Sequence, residues 1–62
     1  MDIWIKGTNK DKYVGNTKNG LIIPAIGTRI NIGYNPAALI LDVVFDYVSM
    51  VVFIVVDGPI LN

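Results

Sequence analysis

The stretch of residues 37–56 constrains the fold of this chain more than any other feature of its sequence. Seventeen of its 20 residues are apolar, and the interruptions are Asp42, Asp46 and Ser49. Because about 20 apolar residues are the length that a helix needs to cross a bilayer, a small single-span membrane protein is one interpretation. Each Asp near the centre of such a helix would cost about 2.5–3.5 kcal/mol, which makes a membrane span the less favoured interpretation.

Composition favours strands over helices, both in this stretch and in the rest of the chain. β-branched residues make up 21 of the 62 positions (ten Ile, eight Val and three Thr), whereas Glu and Gln are absent. β-branched side chains fit a pleated, half-buried surface, and Glu and Gln are good helix formers. A helix over residues 37–56 stays open as the alternative, because Asp42, Asp46 and Ser49 at i, i+4 and i+7 would share one polar stripe.

Alternation of apolar and polar residues predicts where the strands lie. In residues 2–6, Ile3 and Ile5 are expected to face the core, with Trp4 on the opposite face. Residues 38–47 alternate as well, with one wholly apolar face made of Leu39, Leu41, Val43, Phe45 and Tyr47. Residues 50–56 are apolar on both faces and must be covered on both sides. A further short strand is expected at residues 21–23.

These strands predict one all-β domain over residues 1–62, folded as a small curled sheet or an SH3-like, five-stranded barrel. Residues 38–56 would form an apolar hairpin that supplies both the core and a subunit interface. Residues 7–20 contain three Lys and only two apolar residues, Tyr13 and Val14. We expect them to form a polar basic loop or an exposed hairpin.

Missing residue types restrict the chemistry. The chain has no His or Cys, and Ser49 is its single serine. Serine- and cysteine-type catalysis needs a base beside the nucleophile, and zinc sites need His or Cys ligands. We therefore expect no enzyme, no metal site and no cofactor. A catalytic carboxylate pair, Asp42 with Asp46, is the remaining acid–base alternative.

Aromatic residues interleaved with lysines predict a site for a small anionic ligand. Trp4 and Tyr13 would stack a base, and nearby Lys and Arg side chains would meet phosphate. The predicted ligand-binding residues are Trp4, Lys6, Lys10, Lys12, Tyr13, Arg29, Asn31 and Tyr34. The alternative is that Trp4 packs across a subunit interface and the lysines keep a loop soluble.

Charge is segregated along the chain although its sum is zero. Residues 1–29 hold all five positive charges and two Asp, whereas residues 30–62 hold three Asp and no positive charge. Five charges of each sign give a weak field toward phosphates, so specific DNA or RNA binding is not expected.

The surplus of apolar residues, 53% in so short a chain, predicts an obligate homo-oligomer, because a small domain cannot bury that much apolar surface alone. The predicted subunit interface consists of Met50, Val51, Phe53 and Val55.

The second half of the chain resembles a kind of short all-β protein encoded among tailed-phage accessory genes. The resemblance is carried by a proline–glycine turn at residues 23–27, a strand at 29–33 and two apolar strands at 41–47 and 51–56. It covers about half the chain as a pattern of residue classes, so it transfers no ligand residue. Some phage proteins of this size are oligomers that sequester nucleotide immune signals.

Membership would imply a non-enzymatic oligomer in the host-cell cytoplasm that binds a cyclic or ADP-ribose-type nucleotide without turning it over. A structural or protein-interaction module that assembles through its C-terminal strands is the alternative function.

Overall fold

Five strands form one mixed sheet in the computed structural model, which describes residues 1–33 and 37–61. The strands are β1 (Asp2–Lys6), β2 (Asp11–Asn16), β3 (Arg29–Ile30), β4 (Ala38–Asp46) and β5 (Val51–Val56). Their order in the sheet is β2-β1-β5-β4-β3. β1 runs parallel to β5, and the other neighbouring pairs are antiparallel. The sheet curls into a half-barrel, which confirms the predicted all-β class in its curled-sheet form.

The core lies on the inner face of this curled sheet. Ile3 and Ile5 of β1 are buried there, as their alternation with polar neighbours predicts. The buried residues of the described chain are all apolar: Ile3, Ile5, Ala38, Ile40, Val52, Ile54, Val56 and Ile60. Ile23, Ile30 and Ile32, from the connection between β2 and β4, pack against this cluster. The inner face is therefore covered partly by a connecting segment and not by a second sheet.

A β-bulge at Leu41 changes which residues of β4 face the core. Ile40 and Asp42 pair with consecutive residues of β5, so Leu41 is an extra residue in the ladder. Since one extra residue reverses the side to which all later side chains point, Val43 joins Ile40 on the inner face. The predicted unbroken alternation over residues 38–47, which placed Leu39 and Val43 on one face, is wrong for this reason.

The hairpin predicted at residues 38–56 is present as β4 and β5. Its turn is held by the Asp46 carboxylate, which accepts hydrogen bonds from the backbone N–H groups of Val48 at 3.0 Å and Ser49 at 3.1 Å. Met50 ends the turn with φ of 57°, an unusual value for a residue with a side chain. The helical alternative for residues 37–56 is therefore wrong. In the part of the chain that the structure describes, no helix has the length and apolar character needed to span a membrane.

Residues 7–20 form a hairpin arm with β1, which decides between the two sequence-based alternatives. Gly7 N–H donates to the Lys10 carbonyl at 2.9 Å and closes the turn into β2. A short 3-10 helix (Thr17–Asn19) follows and ends at Gly20 in the left-handed conformation. The strand predicted at residues 21–23 does not form, since Pro24 follows and Ile23 packs on the core as part of an irregular segment.

Candidate functional site

Both predicted base-stacking residues and one predicted lysine meet on the outer face of the sheet. The Trp4 and Tyr13 ring centroids lie 5.6 Å apart with 65° between the ring planes, an edge-to-face arrangement. Lys6 follows Trp4 by two residues on β1 and so shares its face. Lys12 pairs in register with Ile5 and belongs to the inner face, while Lys10 lies in the turn before β2.

The remaining predicted ligand residues lie elsewhere. Arg29 belongs to β3, three strands away from β1, and its guanidinium donates to the Ala37 carbonyl at 3.0 Å. The Asn31 Oδ1 atom accepts from Gly33 N–H at 2.9 Å, and this residue lines a pocket on the inner face. Tyr34 lies outside the described residues. The seven described residues of this set are thus divided between two faces and two edges of the sheet.

An aromatic and apolar row crosses the outer face of four strands. In order from β2 to β4, this aromatic row consists of Tyr13, Trp4, Phe53 and Val44. Val51 and Val55 flank Phe53 on the same side of β5, and the Lys6 Nζ atom lies 5.7 Å from the centre of the Phe53 ring. The residues predicted to stack a base and most of those predicted to form a subunit interface therefore share one surface. Met50 is separate, at the end of the β4–β5 turn.

The charges around the aromatic row are mostly negative. The strand registers place Asp2, Asp11, Asp42 and Asp46 on the outer face, against two outer cations within the described strands, Lys6 and, at the β3 edge, Arg29. Several of these carboxylates are engaged locally, as Asp2 accepts from the Asn16 side chain at 2.9 Å. The four negative charges nevertheless oppose an anionic ligand on this face.

A cavity lies under the inner face, with a volume of about 420 Å³. β1 and β5 form its floor, and the segment between β2 and β4 forms its other wall. Its lining consists of Ile3, Ile5, Val14, Leu21, Ile22, Pro24, Ile30, Asn31, Ile32 and Ile54. Asn31 is the one polar side chain among these residues, so we refer to the cavity as the apolar pocket. Ile22, on the irregular wall, is 86% exposed.

Only part of this pocket is predictable from the sequence. The alternation of Ile3 and Ile5 identifies two residues of its floor, and Asn31 is among the predicted ligand residues. The wall formed by Leu21 and Ile22 is missed, because it has no regular secondary structure and its position depends on where the chain crosses between sheet edges. The structure finds no group of three potential metal ligands among the residues it describes.

The fold and these surfaces define a small all-β protein with a curled mixed sheet, an apolar pocket on one face and an aromatic row on the other. No protein-family model, no curated protein and no solved structure matches the chain.

Proposed function

We propose that this protein is a non-enzymatic binding protein that holds a small amphiphilic ligand, with the ligand's aliphatic chain in the apolar pocket. The observation that carries the proposal is the pocket itself. Its volume of about 420 Å³ lies within the range of roughly 300–1,000 Å³ found for small-molecule sites. Nine of its ten described lining residues are apolar, and the tenth, Asn31, is polar. Small-molecule sites are typically lined in this way, with a few polar groups that orient the ligand.

The lining favours an aliphatic chain over a nucleobase. Water in the pocket has few hydrogen-bond partners, so its displacement by an apolar group is favourable. A base would bury several donors and acceptors there, and each one left without a partner would cost about 1–3 kcal/mol. The Asn31 Oδ1 atom already accepts from Gly33 N–H. The amide of Asn31 is thus a limited source of polar contacts for a base.

A negatively charged head group is supported by Lys12. This residue pairs with Ile5, and directly paired residues have Cβ atoms about 5 Å apart on the same face. Ile5 lines the pocket, so the Lys12 side chain starts at the pocket's β2 side. The predicted anionic ligand is retained in this form, as a fatty-acid-like carboxylate whose chain is buried and whose charge stays near solvent.

A nucleotide bound at the aromatic row is the second candidate function, supported by the adjacent Trp4 and Tyr13 rings and by Lys6. Because the two rings are edge to face, a base would stack on one ring and meet the edge of the other. The surrounding carboxylates weaken this candidate relative to the pocket.

A chain-length series tests the proposed function. Calorimetric titration with hexanoate, octanoate, decanoate and dodecanoate should show tighter binding as the chain grows, by about fourfold for each buried CH₂ at about 0.8 kcal/mol. The increase should stop once the pocket is full. Binding of 1-dodecanol should be weaker than that of dodecanoate, and the difference should disappear in Lys12→Ala. An absence of binding across the series would refute the proposal.

A matched pair of surface variants locates the site. Ile22 lines the pocket and is 86% exposed, whereas Ile26 is 60% exposed and does not line it. Ile22→Asp should therefore weaken dodecanoate binding at least tenfold, while Ile26→Asp leaves it unchanged and neither variant unfolds the protein.

Titration of cyclic di-AMP tests the second candidate function. Quenching of Trp4 fluorescence that is unaffected by Ile22→Asp would support the aromatic row as the site.

A further inference from the structure

Both edges of the sheet leave strand backbone without a partner in the described chain. β2 is the outermost strand on one side and pairs only with β1. On the other side, β3 pairs with β4 at Leu39 and Ala38. The last backbone hydrogen bonds to β4 are made by Ile40: its N–H donates to the Thr28 carbonyl, and its carbonyl accepts from Gly27 N–H, both at 2.9 Å. Within the described residues, β4 beyond Ile40 therefore has a free edge. Such edges are templates for pairing with another strand.

Exposed apolar side chains accompany the free half of β4. Leu41 is 52% exposed and Val44 43% exposed. Phe45 and Tyr47 are also exposed, and their rings stack on each other with centroids 6.2 Å apart. At the opposite edge, β2 presents the exposed ring of Tyr13. Each edge thus combines unpaired backbone with apolar surface.

The two edges carry opposite charge. The free half of β4 holds Asp42 and Asp46, and residues 37–57 contain no Lys or Arg. The segment of residues 10–18 around β2 holds three Lys against one Asp, a net charge of +2. The charge segregation seen along the sequence therefore becomes a difference between the two ends of the sheet.

Pairing of β4 with β4 of a second copy is disfavoured by the same charges. An antiparallel pairing centred on Val44 would place Asp42 opposite Asp46 of the partner twice, and like charges directly opposite are destabilising. Pairing of β2 with β2 brings two basic segments together. A β2–β4 pairing brings the +2 segment to the −2 edge.

We propose that the protein assembles head to tail, with the β2 edge of one copy added to the free half of β4 of the next. This arrangement extends the sheet from copy to copy and closes into a ring if the rotation between copies allows it, or otherwise grows as a filament. The interface differs from the outer-face interface predicted from the sequence, and it does not depend on the apolar pocket being occupied.

Sedimentation velocity of the full chain over a range of concentrations tests this assembly. The mass should rise above the 6.8 kDa of one chain with concentration, and fall as salt increases from about 0.1 M to about 1 M, because the Debye length shortens from roughly 10 Å to 3 Å. Asp42→Lys, which neutralises the charge of the β4 edge, and the double variant Lys10→Asp with Lys18→Asp, which reverses the charge of the β2 edge, should each weaken association at least tenfold.

Mixing the two variants is the decisive control. Each retains one native edge, so an equimolar mixture should recover a species of at least twice 6.8 kDa that neither variant forms alone. Circular dichroism confirms the fold of each variant, and Asp42→Asn replaces Asp42→Lys if the latter fails to fold. A wild-type chain that stays monomeric overturns the proposal. So does association that survives both edge variants and is lost only in Phe53→Asp, which would assign the interface to the outer face.

Discussion

Deletion of Leu41 should leave the fold of this protein intact. Leu41 is the extra residue of the β4 bulge, and Ile40 and Asp42 on either side of it pair with consecutive residues of β5. Removing it joins Ile40, which faces inward, directly to Asp42, which faces outward. A regular strand requires this alternation. Every later residue of β4 keeps its partner and its face. A strand that alternated without a bulge would be turned inside out by the same deletion.

The expected change in the free energy of unfolding is small because two effects oppose each other. Leu41 is 52% exposed, so it gives up about half of the roughly 1.5–3 kcal/mol that full burial of a Leu is worth. Against this loss of about 1 kcal/mol, the shorter chain orders one residue fewer, which returns about 1–2 kcal/mol of backbone entropy. The variant should therefore lie within about 1 kcal/mol of the wild type.

Deletion of Val44 is the matched control, since Val44 is 43% exposed and lies in the same strand. Its loss would move Asp46 to an inner-facing position and destroy the hydrogen bonds that hold the turn. A chain of 62 residues has about 3–9 kcal/mol of stability at 0.05–0.15 kcal/mol per residue, so this variant should be unfolded. Urea denaturation followed by circular dichroism measures both. An unfolded Leu41 deletion beside a folded Val44 deletion would refute the bulge-based register.

Two further predictions concern the β4–β5 turn and a pair of glycines, Gly20 after the 3-10 helix and Gly15 in β2. Hydrogen bonds from Ser49 lower the pKa of the Asp46 carboxyl group. Because this pKa is lower in the folded than in the unfolded protein, the carboxylate stabilises the fold at neutral pH. That stabilisation is lost as the pH falls below about 4. Asp46→Asn should thus be less stable than wild type at pH 6 and equal to it in acid, whereas a constant difference would contradict the assignment. Gly20→Ala should cost about 1–2 kcal/mol for its φ of 84° alone. Gly15→Ala should cost more in urea denaturation and weaken dodecanoate binding, because its Cβ would collide with Leu21; equal costs would exclude that contact.

Local features of the sequence account for the strands that were predicted correctly. In β1, Ile3 and Ile5 alternate with polar neighbours, and a burial pattern of period two follows directly from strand geometry. In β5, six consecutive β-branched or aromatic residues leave a strand as the favoured state, and its alternate residues Val52 and Ile54 are buried. Neither prediction needs knowledge of the neighbouring strands.

Bulges explain most of what the sequence does not reveal. The bulge at Leu41 has no local signature, because an apolar residue fits either face of an apolar strand. A second irregularity in β2 places Tyr13, and not Val14, beside Trp4. The Trp4–Tyr13 contact therefore depends on a one-residue shift that only the paired strands determine. The same shift turns Lys12 to the inner face, away from Trp4, with which the sequence associates it.

The position of the apolar pocket also depends on long-range topology. Leu21 and Ile22 follow a basic hairpin arm and look like a short strand, but the chain must cross from the β2 edge to β3 at the opposite edge. That crossing brings them over Ile3 and Ile5, where they become the wall of a cavity. No pattern within residues 21–28 encodes this, since the requirement comes from the parallel pairing of β1 with β5.

Salt separates the two proposed activities because they depend on different physical effects. Head-to-tail pairing brings a segment of charge +2 to an edge of charge −2, so its affinity should fall as the Debye length shortens. Burial of an uncharged chain such as 1-dodecanol in the apolar pocket involves no charge, and salts such as sulfate strengthen apolar burial. Rising sodium chloride should therefore dissociate the assembly without weakening the binding of 1-dodecanol, whereas sulfate would also strengthen burial of the apolar side chains at the paired edges. If both responses moved together, pocket and edges would be coupled, and the ligand would bind preferentially to one assembly state.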